Sequence, residues 1–285
     1  MNHSPAFAAR GEEGGTCVRL GSSRLHYARF GNGRRVLLAF HGFGQHGRHF
    51  EVLAGALAAE YVTYSFDLFY HGRSEWADPD QVLTKADWAA LMRAFFEREN
   101  VNACSVVGFS LGARPALATA EAFPDRIEAV FLLAPDGITP NPWYTLATRS
   151  GWTQRLFRQA VFHPGVFRRL TRLAQTLRLV HPGWVRFAHR QLDTPEKRYQ
   201  LYHTWLGFRR LRFDVPTLAD LFNERGIRTE IFLGRHDRLL TESHVRPLLR
   251  RLKHGKLTLL PCGHGGLLAG VAAHWRTRGM GEIWP

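Results

Sequence analysis

Short apolar runs alternate with helical stretches through the first half of the chain, and this alternation limits the fold more than any other feature. Val36-Leu37-Leu38-Ala39-Phe40, Tyr61 to Phe66, Cys104 to Phe109 and Ile127 to Leu133 each read as a strand. Helices are expected over His49 to Ala59, over Ala86 to Glu99 and from Leu111 onward. Strands that are apolar along their length, rather than at every second residue, are buried on both faces. A mostly parallel sheet with helices on both faces is therefore expected, an α/β fold. Two further β-like stretches lie in Val18 to Phe30, around the turn Gly21-Ser22-Ser23. The pattern resumes late, with a strand at Glu230 to Gly234, a helix near His244 to Leu252, a strand at Leu257 to Leu260 and a last helix near Leu267 to Arg276.

Between these two regions the alternation stops. From Gly137 to Val215 the chain reads as helical, aromatic and basic, with prolines at 140, 142, 164, 182 and 195 and no convincing strand. A helical insertion of about eighty residues (137–215) is expected within a core made of 17–136 and 216–285, with 1–16 as a tail. The insertion holds thirteen Arg and one Lys against two Asp and one Glu, a net +11 of the whole chain's +14. Such charge is either a solvated face of amphipathic helices or an attraction for something anionic. An acidic substrate, a phosphate-bearing acyl carrier or a peripheral membrane contact would each answer to it. Nucleic acid is not indicated, since no nucleic-acid module is present.

Gly108-Phe109-Ser110-Leu111-Gly112 is a G-x-S-x-G pentapeptide set between a strand and a helix. A serine on that sharp turn projects its hydroxyl from the sheet, and the crowded backbone needs small residues two before and two after it. Serine is a weak nucleophile unless a base takes its proton and an acid orients the base. The expected base is His264, in Pro261-Cys262-Gly263-His264-Gly265 after the last strand. Asp237, after the strand ending at Gly234, is the favoured acid. Asp136, after the strand ending near Leu133, is the alternative. An oxyanion site needs two donors, and the amides of Leu111 and Phe43 are the candidates; Phe43 lies in His41-Gly42-Phe43-Gly44.

Two competing readings are weighed against this one. Gly42-Phe43-Gly44-Gln45-His46-Gly47 is a literal G-x-G-x-x-G, and Asp67 follows at the end of the next strand, as in a dinucleotide-binding fingerprint. It is set aside because it leaves Ser110, Asp237 and His264 without a role. His41, His46 and His49 lack the spacing and the neighbouring ligands of a metal site, so no metal is expected.

Together His41 to Gly44, Asp67 to Ser74, Gly108 to Gly112, Gly234 to Asp237 and Gly263-His264 resemble the α/β-hydrolase superfamily, over residues 17–136 and 216–280. The resemblance implies an eight-stranded, mostly parallel sheet, a lid after strand six, a Ser-His-Asp mechanism and no cofactor. Serine at position 110 separates the chain from branches whose nucleophile is a carboxylate. Arg114, four residues after the serine, is similar to a substrate-binding arginine of menaquinone-pathway lyases in this superfamily. The expected activity is hydrolysis of an ester or thioester through an acyl-enzyme. C–C bond hydrolysis or a lyase reaction by the same triad is the first alternative, and a non-catalytic binding protein of the same fold is the second.

The aromatic residues of the insertion (Trp143, Tyr144, Trp152, Phe157, Phe162, Phe167, Trp184, Tyr202, Trp205) point to a small-molecule substrate with an apolar or aromatic acyl group. An arginine lining the pocket would favour an anionic one. Three well-separated cysteines (Cys17, Cys104, Cys262) fit neither a disulfide framework nor a zinc site and suit a reducing, cytoplasmic setting. Met1 to Gly15 has no apolar run flanked by basic residues, so a secretory leader is not expected. No stretch has the apolar length that crosses a bilayer.

Overall fold

The computed structural model describes residues 16–176 and 192–278. A hairpin of β1 (Cys17–Leu20) and β2 (Ser23–Phe30) precedes β3 (Arg35–Phe40), β4 (Tyr61–Phe66), β5 (Cys104–Phe109), β6 (Ile127–Leu133), β7 (Arg228–Gly234) and β8 (Gly255–Leu260). All eight join one sheet in the order β1-β2-β4-β3-β5-β6-β7-β8. Strands β3 to β8 pair in parallel, and β2 pairs antiparallel with both β1 and β4. This is the expected fold class. Every residue of β4 and β5 is buried, as continuous apolar runs require. β2 alternates instead, with Leu25 and Tyr27 inward, as befits an antiparallel strand near the edge.

Helices α1 (Glu51–Leu57), α2 (Lys85–Glu99) and α3 (Ala113–Ala122) connect the first strands. α2 starts at a capping box in which Thr84 and Asp87 each bond the other's backbone amide, and it ends on Asn100 in the left-handed conformation. It lays Trp88 and Phe95 against Phe40 and Phe66, with ring centroids 4.9–5.6 Å apart. On the sheet, Phe131 and Phe232 meet Trp275 of α10 (Leu267–Arg278) at 5.0 and 5.8 Å. Two aromatic clusters thus anchor helices to the strands.

Two compact units divide the chain. One holds the whole sheet. The other comprises Pro79–Val82 and Pro140–Arg209, whose helices are α4 (Pro142–Arg149), α5 (Gly151–Phe162), α6 (Pro164–Thr176) and α7 (Pro195–Gly207). Within this helical unit Trp205 of α7 has two aromatic neighbours: the ring of Phe157 stacks on it at 5.1 Å, and Tyr144 lies at 5.2 Å with its hydroxyl donating to the Trp205 carbonyl. Tyr202 also contacts Phe157 and Phe162. So Tyr144, Phe157, Phe162, Tyr202 and Trp205 pack on one another within the unit, whereas Trp143 and Trp152 are exposed. Trp184 and the side chain of Phe167 lie outside the described residues, as does the expected tail but for Thr16.

Residues 137–139 and 210–215 belong to the sheet unit rather than to the helical one. Side-chain anchoring explains this. Thr139 donates to the carbonyl of His244, Leu211 is fully buried, and the Lys85 ammonium lies 4.6 Å from the centre of the Phe213 ring. α8 (Val215–Glu224) was not anticipated. It is a ten-residue helix that starts on an Asp214 cap and buries only Leu218, Ala219 and Phe222, so its pattern is faint. α9 (Glu242–Leu249) lies between β7 and β8.

Candidate active site

The backbone makes an abrupt turn where β5 ends. Ser110 has φ +51°, a left-handed conformation that non-glycine residues rarely adopt, and such positions cost roughly 1–3 kcal/mol. A 3-10 turn, Ser110–Gly112, then leads into α3. The two glycines are sterically required. A Cβ on Gly112 would stand 1.9 Å from the Phe40 carbonyl oxygen, and one on Gly108 would stand 2.4 Å from the Gly112 carbonyl oxygen. Because Phe40 pairs with Gly108 in the sheet, the loops after β3 and β5 leave it side by side. Chain connections also diverge there: β3 leads to β4 on one side while β5 lies on the other, the place where open α/β sheets bind ligands.

The loops after β7 and β8 are tied together by backbone. Arg235 N–H donates to the Leu260 carbonyl and His236 N–H to that of Cys262. Asp237 and His264 meet on this frame, with Nδ1 of His264 2.7 Å from Oδ2 of Asp237. The Asp237 side chain is fully buried, and its Oδ1 accepts the amides of Leu239 at 2.8 Å and Leu240 at 3.1 Å. Burial pushes its pKa up, but the hydrogen bond and charge of His264 and the two amides outweigh that and leave it below the usual carboxylate value. An ionised Asp237 fixes the proton of His264 on Nδ1 and leaves Nε2 as a base. The imidazole packs on Phe109, the residue before the serine, at 5.0 Å between centroids. Neither the Ser110 hydroxyl nor His264 Nε2 has a hydrogen-bond partner among the described residues, so the two are not bonded to each other; catalytic hydrogen bonds often tighten only with substrate.

Two buried histidines shape the loop after β3. His41 donates from Nδ1 to the Gly42 carbonyl (2.7 Å) and accepts the Leu68 amide at Nε2 (2.9 Å). His71 donates from Nδ1 to the Phe69 carbonyl (3.0 Å) and accepts the Gly44 amide at Nε2 (3.0 Å). Each ring therefore needs one protonated and one bare nitrogen. Burial lowers their pKa values to about 3 for His41 and about 4 for His71, so both are neutral near pH 7. The amides of Phe43 and Leu111 have no acceptor among the described residues. Two unused donors thus stand on adjacent loops.

Asp67 is occupied as well. Its Oδ1 accepts the Gly47 amide (2.6 Å), its Oδ2 accepts that of Arg73 (2.9 Å), and His26 Nδ1 is 3.2 Å away. In the G-x-G-x-x-G reading this carboxylate would take a ribose hydroxyl; here it closes its own turn and pins Gly47. Among the described residues no group of three or more His, Cys, Asp or Glu side chains is arranged to hold a metal ion.

A model of the alpha/beta hydrolase family matches residues 36–273, which spans every one of these loops. The chain belongs to that family. Lipase LipV of Mycobacterium tuberculosis is 38% identical over 112 residues, covering 39% of this chain and 41% of LipV. RutD of Cronobacter sakazakii is 25% identical over 239 residues, 81% of this chain and 84% of its own. The chain spans well under half the length of the curated relatives that it matches above 30% identity, 37% and 41%. A thermophilic esterase from Thermogutta terrifontis shares the fold, with TM-score 0.67 and 18% identity over 93% of this chain and 96% of that one.

Within this hydrolase-family fold, Asp136 and Arg114 have each other as partners. Arg114 Nε donates to Asp136 Oδ2 at 2.7 Å with its side chain 4% exposed, and its Nη1 reaches the Leu211 carbonyl at 3.3 Å. The Asp136 amide in turn donates to the Ser110 carbonyl. Asp237, not Asp136, is the carboxylate bonded to His264, and the Arg114 guanidinium is an internal brace beneath the Ser110 turn. Sequence reasoning missed this brace and the parts of His71 and Phe109. The Asp67 to Ser74 loop, already singled out by its resemblance, was the one signal that could have pointed to His71.

Proposed function

We propose that this chain is a serine hydrolase acting on a carboxylic ester or thioester. The observation that carries this reading is the 2.7 Å Asp237–His264 pair beside a serine held at positive φ on the same edge of the sheet. In the mechanism, His264 Nε2 takes the proton of Ser110 as Oγ attacks the acyl carbonyl. Asp237 holds the imidazole and balances its charge as the imidazolium forms. The amides of Phe43 and Leu111 receive the oxyanion, a contribution of about 3 kcal/mol for each donor of this kind. His264 gives its proton to the leaving group, and the acyl group stays on Ser110 until water, deprotonated by the same imidazole, releases the acid. These residues need no metal or cofactor for those steps. We assign the helices between β6 and β7 the part of the family's cap. Three unpaired cysteines suit a cytoplasmic setting, and no helix among the described residues is long and apolar enough to cross a membrane.

Hydrolysis of p-nitrophenyl esters of increasing acyl length tests the reading. Turnover by the purified chain should fall by about 10⁴-fold or more in Ser110→Ala. Absence of turnover across acetyl, butyryl and octanoyl esters and a thioester, in folded protein, would overturn it. Activity confined to C–C bond substrates would replace it with the alternative of C–C bond hydrolysis by the same triad.

A further inference from the structure

Residues 137–192 contain nine arginines and not one Asp or Glu. Their described helices present two faces. α4 turns Tyr144 and Thr148 inward and exposes Trp143, Leu146 and Arg149. α5 buries Thr153 and Val161, rests Phe157 on Trp205, and exposes Trp152, Arg155, Leu156 and Arg158. α6 adds exposed Arg169, Arg172 and Leu173. Trp143 and Trp152 are 61% and 64% exposed. None of these five arginines has an ion-pair partner among the described residues.

Large exposed apolar side chains that share helices with cations lacking an ion-pair partner among the described residues mark an interaction surface. The composition says what kind. A second copy of this chain would set arginine against arginine. An acidic protein would meet the charge, but it would not need two tryptophans and three leucines spread over helix faces. A bilayer surface meets both requirements: tryptophan favours the headgroup level, leucine enters the acyl boundary, and arginine reaches lipid phosphates while its stem covers apolar surface. We propose that the outer face of α4 and α5, continued by Arg169, Arg172 and Leu173 of α6, docks on an anionic lipid surface. This surface is independent of the proposed chemistry at Ser110.

Co-sedimentation of the full chain with phosphatidylglycerol-rich vesicles and with pure phosphatidylcholine vesicles tests the proposal. Binding to the anionic vesicles should be at least about tenfold tighter, and raising salt from about 0.05 to about 0.5 M should remove most of that advantage. Each surface arginine contributes about fivefold, so Arg149→Gln/Arg155→Gln/Arg158→Gln should bind about a hundredfold more weakly. Trp143→Ser/Trp152→Ser should lose the blue shift of tryptophan emission seen with vesicles. Both variants change exposed positions and should keep the wild-type circular dichroism and melting temperature. Folded wild-type protein that ignores anionic vesicles at low salt would overturn the proposal. So would equal, salt-independent binding to both lipids, or self-association that Trp143→Ser/Trp152→Ser abolishes while vesicle binding is nil.

Discussion

Two carboxylates stand near the Ser110 turn, and their surroundings give them opposite work. The Asp237 side chain is fully buried and holds an imidazole plus two amides, while Asp136 neutralises a guanidinium that is itself buried. Substituting each by its amide separates the two roles. Asp237→Asn should lower kcat/KM by about 10³–10⁴-fold with little change in KM, because the wrong histidine tautomer is favoured. Asp136→Asn removes the carboxylate charge that the buried Arg114 meets at 2.7 Å and should reduce stability by about 3 kcal/mol, while the folded fraction keeps its turnover. Steady-state kinetics beside urea unfolding reads both; a kcat/KM loss as large in Asp136→Asn would reassign the acid. Ser110, Asp237 and His264 were legible as candidates because each follows a recognisable strand. The Arg114–Asp136 brace was not, since two residues that far apart in the chain share no periodicity and meet only through the packing of α3 against the end of β6.

At the scale of elements, the Ser110 turn exists because β5 runs straight into α3 with no room for a side chain on its inner side. Gly112→Ala would place a Cβ 1.9 Å from the Phe40 carbonyl oxygen. Backbone cannot yield as a side-chain tip can, so β3 and α3 must separate, at a cost of about 3 kcal/mol or more. Urea unfolding of that variant should show the loss, and unchanged stability would mean that the turn is laxer than its contacts imply. Strands β3 to β6 could be placed from sequence alone because parallel strands buried on both faces carry continuous apolar runs. Helix boundaries were less legible. α1 and α3 each begin with a 3-10 turn, and α8 buries too little to show a period.

Acid sensitivity belongs to the whole molecule. His41 and His71 are neutral because they are buried, with pKa values near 3 and 4 against 6.5 when free. Between about pH 6.5 and 4 the unfolded chain binds protons that the folded chain refuses. Stability therefore falls as pH drops through that window, on the order of 2 kcal/mol per ring by pH 4.5. Asp67, whose pKa burial would raise but whose His26 and amide contacts bring it to about 2, withdraws its share only at lower pH. Urea midpoints should decline from pH 7 to 4.5; a midpoint independent of pH over that range would show that the rings protonate freely in the folded state. The two-unit architecture is less legible than the sheet, because charge and aromatic content announce a helical insertion but only the anchoring of Thr139 and Leu211 sets where it begins and ends.

Peptide mapping by mass spectrometry after treatment with a fluorophosphonate tests the central claim most directly. The account predicts one adduct, on the peptide carrying Ser110, formed at least about 10³-fold more slowly in His264→Ala and absent in Ser110→Ala. A folded wild-type chain that takes up no label, or an adduct that persists in Ser110→Ala, would contradict it.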